Sequence, residues 1–290
     1  MPTTTEARQI AEQFREEGYA LIRGFIDAEE VRRLQAETAA IYAEGMTHHT
    51  TYRHGNLNFQ VLPEEEFGQR YVIQAHWFSW INDWFDAFRS RPEYFAILEP
   101  LLGRDIKQVG QQIHWKPPGA NTTGYRFHQD LRFRDQANYV DVVGNTVTTG
   151  LAIDPSTREN GCLQVIPGSH KRGYLGLSDE GDGQIMKGLT AEDELRAKDL
   201  NPEDVVHLEM QPGDLAMWSL LTVHGSLPNT SDHDRAFAIS SYVRADCTER
   251  GEWAFRDGVP QPLGDTPKLC KYDALHEKPG PFYETAGWWR

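Results

Sequence analysis

The sequence is poor in cysteine and in basic residues, and each shortage argues against particular classes of protein. Cys162, Cys247 and Cys270 are widely spaced, so the sequence indicates neither a disulfide framework nor a cysteine-based zinc site. This cysteine usage is typical of a reducing compartment, and we expect a cytoplasmic protein. Lys and Arg number 29 against 43 Asp and Glu, giving a net charge of −14. Because nucleic-acid binding depends on basic surface, no DNA or RNA partner is expected.

Long apolar runs are also missing. No stretch approaches the 18 or so apolar residues of a membrane helix, so we expect no membrane span. The first residues lack the basic and apolar regions of a signal peptide. Hydrophobic residues make up 39% and charged residues 25% of the chain, which is typical of a globular domain with a sizeable core.

The hydrophobic pattern divides the 290 residues into three parts of a single domain. Helical periodicity predicts a helical N-terminal layer over residues 5–102, in which 45–75 form a long loop or lid with a short strand. A β-rich core is predicted over about 106–245, and a loop-rich tail over 248–290. The core contains β-prone runs between turn residues at 107–116, 125–133, 146–153, 162–166, 205–210, 214–219 and 235–244. Several short strands at this spacing favour a sandwich or a barrel.

The central chemical feature is the pair His128 and Asp130. On an extended strand, residues two positions apart point to the same face, so an imidazole and a carboxylate can reach one metal ion together. His224, at the end of an apolar run and before a turn, is the best distal histidine. Two histidines and one carboxylate form the facial triad of non-haem Fe(II) oxygenases. The alternative is that the pair is a chance occurrence and that His224 is an ordinary hydrogen-bonded histidine.

Arg235 begins the next β-prone run after His224. An arginine in this place can form a bidentate pair with a carboxylate, such as the distal carboxylate of 2-oxoglutarate. The alternative interpretation is an exposed residue at the start of a strand.

These residues lie in a longer pattern that resembles the phytanoyl-CoA dioxygenase family over most of the chain. The pattern comprises Phe14-Arg-Glu-Glu-Gly-Tyr-Ala-Leu-Ile-Arg-Gly-Phe25, Lys116-Pro-Pro-Gly119, His128-Gln-Asp130, Glu159-Asn-Gly-Cys-Leu-Gln-Val-Ile-Pro-Gly-Ser-His170, Gln211-Pro-Gly-Asp214, His224, Asn229 and Arg235.

The resemblance implies a mainly β fold with flanking helices around a double-stranded β-helix, the cupin-like jelly roll. It implies that His128, Asp130 and His224 bind Fe(II) and that Arg235 holds 2-oxoglutarate, with O2 as the second cosubstrate. Lys116 and Gln112, on the strand before the metal motif, are further candidates for cosubstrate or substrate contacts. Their alternative role is that of ordinary strand residues.

Two positions bear on the chemistry within this resemblance. Asp130 is retained, whereas related halogenases carry a small residue there, so hydroxylation or another oxidative outcome such as desaturation is favoured. Gly150 stands where relatives often carry a bulky aromatic residue, so a wider pocket or altered cosubstrate packing is expected. His170 is expected to be a turn element, and His48 and His49 to lie in a solvated loop.

The predicted activity is hydroxylation of an unactivated C–H bond of a small metabolite or natural-product intermediate, with release of succinate and CO2. Strand alternation places Arg126, Arg132 and Arg134 on the face of the metal ligands, and we hypothesise that one of them, Arg132 above all, binds an anionic substrate group. The alternative is that these arginines are solvated or pair with nearby acids. Two other classes of function stay open, a non-catalytic iron or 2-oxoglutarate sensor and a metal-free jelly-roll binding module. The sequence does not predict the oligomeric state.

Overall fold

The fold was analysed in a computed structural model, which describes residues 3–62, 64–118, 124–134, 136–179, 185–186, 189–265, 267 and 280–284. Cys270, Gly119 and most of the predicted tail beyond residue 265 lie outside these ranges. Within them, no helix is long and apolar enough to cross a membrane.

The α-helices of the described residues lie mostly in the first third of the chain. They are α1 (Thr4–Glu17), α2 (Ala28–Gly45), α3 (Glu64–Phe67), α4 (Asp83–Arg89), α5 (Pro92–Leu102) and α6 (Glu192–Arg196).

The β-strands run through the whole chain. They are β1 (Tyr19–Ile22), β2 (Tyr52–His54), β3 (Leu57–Leu62), β4 (Tyr71–His76), β5 (Ile106–Lys116), β6 (Tyr125–His128), β7 (Thr146–Ala152), β8 (Leu163–Val165), β9 (Val206–Leu208), β10 (Leu215–Trp218), β11 (His224–Ser226), β12 (Arg235–Arg244), β13 (Glu252–Arg256), β14 (Val259–Pro260) and β15 (Phe282–Tyr283).

The strands form two antiparallel sheets. The large sheet has the order β1-β10-β7-β12-β5-β4-β3-β2-β15, with β13 also paired to β5 and to β14. The small sheet has the order β6-β11-β8-β9. Strands that are distant in sequence are neighbours in the core, where β10 pairs with β7, β12 with β5 and β6 with β11, as expected for a jelly roll; β2 to β5 pair in sequence order and form a meander beside it. The predicted mainly β fold with a jelly-roll core is thereby confirmed.

Helix ends follow from local sequence. Thr3 and Glu6 form a reciprocal capping box at the start of α1, and Gly18 ends that helix in the left-handed conformation with φ of 79°. The Asp27 carboxylate accepts the backbone N–H groups of Glu29 and Glu30 at 2.9 Å, which fixes the start of α2. The turn from α1 therefore leads directly into β1 at the edge of the large sheet.

Two apolar clusters hold the layers together. The larger one joins helix residues such as Leu34 of α2 and Ile97 of α5 to strand residues such as Ile113 and Met217. Helices thus cover one face of the large sheet. The second cluster joins Phe237 and other residues of the large sheet to Leu163, Val165 and Leu208 of the small sheet. The two sheets therefore pack face to face as a sandwich.

The structure corrects the expected organisation of the first hundred residues. Residues 45–75, predicted as a lid, contain β2, β3 and much of β4, which extend the large sheet beyond β5. The N-terminal layer is therefore part helix and part sheet. The aromatic stretch after residue 77 forms α4, α5 and a short 3-10 helix, Phe78–Trp80, and packs in the large cluster.

Candidate metal centre and active site

A cavity of about 240 Å³ is lined by residues of both sheets. The large sheet contributes side chains at alternate positions of β4, β5 and β12, because every second residue of a strand faces the same side. The small sheet contributes the ends of β6 and β11. The cavity therefore opens where strands from both layers end or turn.

His128, Asp130 and His224 come together in this cavity. His128 ends β6 and His224 begins β11, and the two residues are direct cross-strand partners with ring centroids 4.3 Å apart. Asp130 begins a 3-10 helix, Asp130–Phe133, and its Oδ1 lies 3.7 Å from His128 Nε2 and 3.6 Å from His224 Nε2. The three ligand atoms lie within 4.8 Å of one another, as ligands of one ion do.

Backbone carbonyls set the orientation of both imidazoles. His128 Nδ1 lies 2.7 Å from the carbonyl of Arg126, and His224 Nδ1 lies 2.9 Å from the carbonyl of Thr222. A carbonyl oxygen only accepts, so each Nδ1 carries the proton and donates it. Each Nε2 is left with its lone pair directed at the cavity, the arrangement found around metal-ligating histidines. Burial, together with the neighbouring His128, lowers the pKa of His224 to about 4, which keeps it in the neutral, ligating form.

The carboxylate of Asp130 is held in the same way. Trp218 Nε1 donates to Asp130 Oδ2 at 3.1 Å and Thr148 Oγ1 donates to it at 3.3 Å, which leaves Oδ1 facing the histidines. Burial by itself would raise the pKa of Asp130, but the two imidazoles lower it, and the net shift is downward. The ligand is therefore ionised. Two imidazoles and one carboxylate converging from one side fit an Fe(II) facial triad.

Arg235 lies in the same cavity on the first position of β12 and is 3% exposed. One terminal N–H donates to the Gly161 carbonyl at 2.6 Å, and the guanidinium lies 5.4 Å from the centre of the Phe237 ring. Its Nε is buried without a hydrogen-bond partner, and no ion pair with an acid is found within the described ranges. Burial lowers the pKa of Arg235 to about 10, so the side chain stays cationic at neutral pH. A buried cation with an orphaned donor is suited to an anionic ligand.

Lys116, the cross-strand partner of Arg235, is anchored differently. Its Nζ donates to Leu227 O at 2.5 Å, Ser226 Oγ at 2.6 Å and Gly161 O at 3.2 Å. Burial, and secondarily the charge of Arg235, lower the pKa of Lys116. Since its three donors have partners, Lys116 tethers the loops around Arg235.

A family model for phytanoyl-CoA dioxygenase matches residues 14–237. The chain belongs to the phytanoyl-CoA dioxygenase family. It is thus an enzyme of the 2-oxoglutarate-dependent dioxygenase class, and the predicted family, enzyme class and cofactors (iron, 2-oxoglutarate and O2) are confirmed.

Curated relatives of this family member act on diverse compounds. Over 245 residues it is 27% identical to a probable alpha-ketoglutarate-dependent hypophosphite dioxygenase of Stutzerimonas stutzeri, covering 82% of this chain and 79% of the relative. Over 247 residues it is 24% identical to a 2-aminoethylphosphonate dioxygenase of uncultured bacterium HF130_AEPn_1, covering 84% of each chain. The human peroxisomal phytanoyl-CoA dioxygenase is 31% identical over 166 residues, which span 54% of this chain but only 45% of the human one.

Solved structures share the fold. The non-heme alpha ketoglutarate dependent carbocyclase SnoK from nogalamycin biosynthesis superposes with a TM-score of 0.62 at 20% identity, over 93% of this chain and 99% of its own. EctD from S. alaskensis superposes with a TM-score of 0.66 at 17% identity, over 92% and 85%. At this level of identity the likeness concerns the fold.

The sequence did not indicate the polar wall opposite the metal ligands. It consists of Gln60 of β3, Gln74 and His76 of β4, and Gln112 and His114 of β5. His76 Nε2 lies 2.9 Å from Gln74 Oε1, and His114 Nε2 lies 2.6 Å from Gln112 Oε1. Gln112, a candidate cosubstrate or substrate residue, therefore faces the cavity as part of this wall. Its neighbours Gln60 of β3 and Gln74 of β4 lie within residues 45–75, which the sequence predicted to be a loop or lid.

The structure separates the three arginines that strand alternation placed together. Arg126 pairs with Glu194 at 2.6 Å and Arg132 lies 3.7 Å from Asp179, and neither lines the cavity. The prediction of a shared face is wrong for two reasons. A register shift between β11 and β6 breaks the alternation at Arg126 inside the strand, and β6 ends at His128 with a 3-10 helix after it, so the period of two does not extend to Arg132. Arg134, after that helix, does line the cavity.

Gly150 does not widen the pocket as expected. A Cβ built on it would lie 2.5 Å from two ring atoms of Phe237 and 2.9 Å from Trp218. The space beside this glycine is therefore filled by aromatic rings from β12 and β10.

His170 and His48 do not line the cavity. His170 lies in a 3-10 turn, where its Nε2 is 3.0 Å from the Arg15 carbonyl, as expected of a turn element. His48, predicted to be solvated, is instead buried and stacks on Tyr52 with ring centroids 4.0 Å apart.

Proposed function

We propose that this protein uses Fe(II), 2-oxoglutarate and O2 to hydroxylate an unactivated C–H bond of a small organic molecule, with release of succinate and CO2. One observation carries the proposal. Three oriented ligand atoms and a buried arginine without an acid partner among the described residues share one cavity. A structural histidine cluster would not need a cationic counterpart of this kind.

In this proposal His128, Asp130 and His224 hold the iron, and Arg235 binds the distal carboxylate of 2-oxoglutarate. The bound iron supplies the activation of O2. The chain supplies orientation, because the carbonyls behind the imidazoles and the two donors on Asp130 Oδ2 fix each ligand before the ion arrives. Lys116 keeps the loops beside Arg235 in place.

The size of the cavity supports a small substrate. Pockets for drug-sized ligands range over roughly 300–1,000 Å³, whereas this cavity measures about 240 Å³ and must also hold 2-oxoglutarate. Two relatives are named for hypophosphite and 2-aminoethylphosphonate, both small compounds. A small metabolite is therefore favoured over a long acyl-CoA.

The test is an anaerobic absorption titration with Fe(II) and 2-oxoglutarate. Wild type should show a visible metal-to-ligand charge-transfer band, His128→Ala should abolish it, and Arg235→Ala should shift the 2-oxoglutarate titration to higher concentration. Arg104→Ala, on the surface and paired with Asp257, is a matched arginine control that should leave both unchanged.

The outcomes separate the alternatives. No band in wild type under metal saturation would refute the iron site and favour a metal-free binding module. A normal band with no production of succinate in air, across a broad screen of small metabolites, would favour a sensor. Succinate formation that depends on His128 and Arg235 would support the enzyme.

A further inference from the structure

The cavity carries a surplus of positive charge. Its described lining includes the cations Arg134 and Arg235 but one carboxylate, Asp130. Under the proposed function the charges of Fe(II) and of the 2-oxoglutarate dianion cancel, so the surplus stays. Because uncompensated buried charge is costly, the remaining ligand of this cavity should itself be anionic.

Arg134 is the cationic side chain of the cavity to which the proposed function assigns no ligand. Its Nε is buried with no hydrogen-bond partner in the described part of the chain. Its other contacts are a marginal hydrogen bond of 3.5 Å to the Phe133 carbonyl and the ring of Tyr139, whose centre lies 5.5 Å from the guanidinium carbon. No acid within hydrogen-bonding or ion-pairing distance is found in the described ranges.

The neighbouring arginines differ from Arg134 because each of them has an ion-paired acid. Their acid partners are Glu194 for Arg126, Asp179 for Arg132, and Asp141 and Asp246 for Arg244. Each of these pairs lies outside the cavity lining. Arg134 is therefore distinct among these arginines in facing the cavity and in having no ion-paired acid among the described residues; the cavity acid that its charge acts on is Asp130, whose pKa it helps to lower.

The placement of Arg134 suits recognition of an oxyanion near the iron. It follows directly on the 3-10 helix that begins with Asp130, so the guanidinium and the iron ligand face the same space. The Tyr139 ring, which is 8% exposed, limits the orientations of the guanidinium plane. A planar fork of N–H donors binds a carboxylate or phosphonate through two parallel hydrogen bonds.

The cavity lining also offers amide and imidazole groups from Gln60, Gln74, Gln112, His76 and His114. These groups can hydrogen-bond a polar, uncharged part of a ligand. The cavity therefore combines a cationic side chain for an oxyanion with hydrogen-bonding groups for the rest of the ligand.

We propose that Arg134 is the substrate-binding residue that selects a small oxyanion, a carboxylate or a phosphonate, and places its neighbouring C–H group at the iron. This inference rests on the proposed function and adds the substrate class to it.

The experiment uses the anaerobic complex of the full chain with Fe(II) and 2-oxoglutarate, in which a ligand beside the iron perturbs the visible band. The probes are ethylphosphonate, butanoate and the neutral isostere butanamide. At least one of the two oxyanions should perturb the wild-type band saturably, and butanamide should not. Which oxyanion binds more tightly assigns the group as phosphonate or carboxylate.

Arg134→Gln should keep the band but weaken oxyanion binding about 10- to 100-fold, as loss of a charge-assisted pair does. Arg134→Lys should recover part of the affinity, because it restores the charge without the fork. Arg132→Gln is the matched control, since Arg132 pairs with Asp179 outside the cavity, and it should bind as wild type does.

Retention of the band in the variants shows that folding and the iron site are intact, so loss of oxyanion binding is then specific. Equal binding of butanamide and butanoate would overturn the proposal, as would failure of both oxyanions to bind or unchanged affinity in Arg134→Gln. A loss confined to Arg132→Gln would transfer the role to Arg132. Absence of the band in wild type would instead refute the proposed function.

Discussion

The indole of Trp218 should determine how tightly iron binds, although it does not touch the ion. In Trp218→Phe the aromatic ring is kept and the Nε1–H donor to Asp130 Oδ2, at 3.1 Å, is lost. Hydrogen bonds to charged groups contribute about 1.5–3 kcal/mol. The residue is 2% exposed, so water does not replace the donor without rearrangement.

Among the described residues, the hydrogen bond that the carboxylate of the variant keeps is the one from Thr148, whose hydroxyl lies at the longer distance of 3.3 Å. Freed from the indole, Asp130 can rotate away from the position in which Oδ1 faces both histidines. We therefore expect about 10- to 100-fold weaker Fe(II) affinity, as found when such supporting partners of metal ligands are removed. Thr148→Val should have a smaller effect, and the double variant should lose more than either.

The assay is an anaerobic Fe(II) titration at saturating 2-oxoglutarate, followed by the visible band and repeated with Mn(II) by electron paramagnetic resonance. Trp115→Phe is the control, because Trp115 is a buried indole of the large cluster that packs against Tyr42 and does not contact Asp130. It should lower stability without changing metal affinity. Wild-type affinity in Trp218→Phe would refute the idea that this indole orients the ligand.

Other predictions concern stability. Lys116→Met should lower the free energy of unfolding by about 3 kcal/mol in urea titrations, because three acceptors, those of Gly161 and Ser226 buried and that of Leu227 partly buried, lose their donor; an unchanged midpoint and slope would contradict this. Gly150→Ala should lower the free energy of unfolding by about 1–3 kcal/mol, since its Cβ would lie 2.5 Å from the Phe237 ring. Phe237→Leu in the same chain should recover part of this loss. Strict additivity of the two changes in free energy would argue against the clash. Acidification below a pH of about 6.5 should weaken the docking of β15 through His48, which lies 3.2 Å from the Tyr283 hydroxyl. Burial lowers the pKa of His48, so the unfolded state binds the proton more tightly and stability is lost as the pH falls through this window; hydrogen exchange of the β15 amides that is independent of pH, after correction for intrinsic rates, would contradict it.

The metal motif was predictable because its signal is chemical as well as periodic. His128, Asp130 and His224 combine residue types that suit one ion, and their order in the chain resembles a known family. The strand argument for His128 and Asp130 was only partly right, since the strand ends at the histidine. Gln129 anchors the break by donating to the carbonyls of Gly173 and Leu221 at 2.8 Å. Contacts between residues this far apart in the chain cannot be predicted from the spacing of residue types in the sequence.

The polar wall was missed for a physical reason. Strand prediction relies on alternation of apolar and polar residues, with the apolar face buried. In β3 and β4 the inward face carries Gln60, Gln74 and His76 because it borders a polar cavity, so the alternation is lost and the segment resembles a loop. His48 was misjudged similarly, because its partner Tyr283 lies at the far end of the chain.

Neither family comparison nor hydrophobic periodicity predicts the surroundings of Gly150 and Arg134. The space beside the glycine depends on how Phe237 packs across from another strand. The exposure of Arg134 to the cavity depends on a single turn of 3-10 helix. Neither is encoded within a short window of sequence.

The pairing of His128 with His224 has a consequence for how long the protein persists in the cell. In the described part of the chain β6 is the first strand in the order of the small sheet and pairs with β11, and the two histidines face each other across that pairing; on its other side the Arg126 N–H donates to the Ile185 carbonyl. An ion held by both therefore cross-links β6 to β11 and closes a long loop of chain. Iron occupancy and resistance to local unfolding become one coupled equilibrium. Iron depletion should then mark the protein for proteolysis at this strand, so that its cellular abundance follows the supply of its own metal.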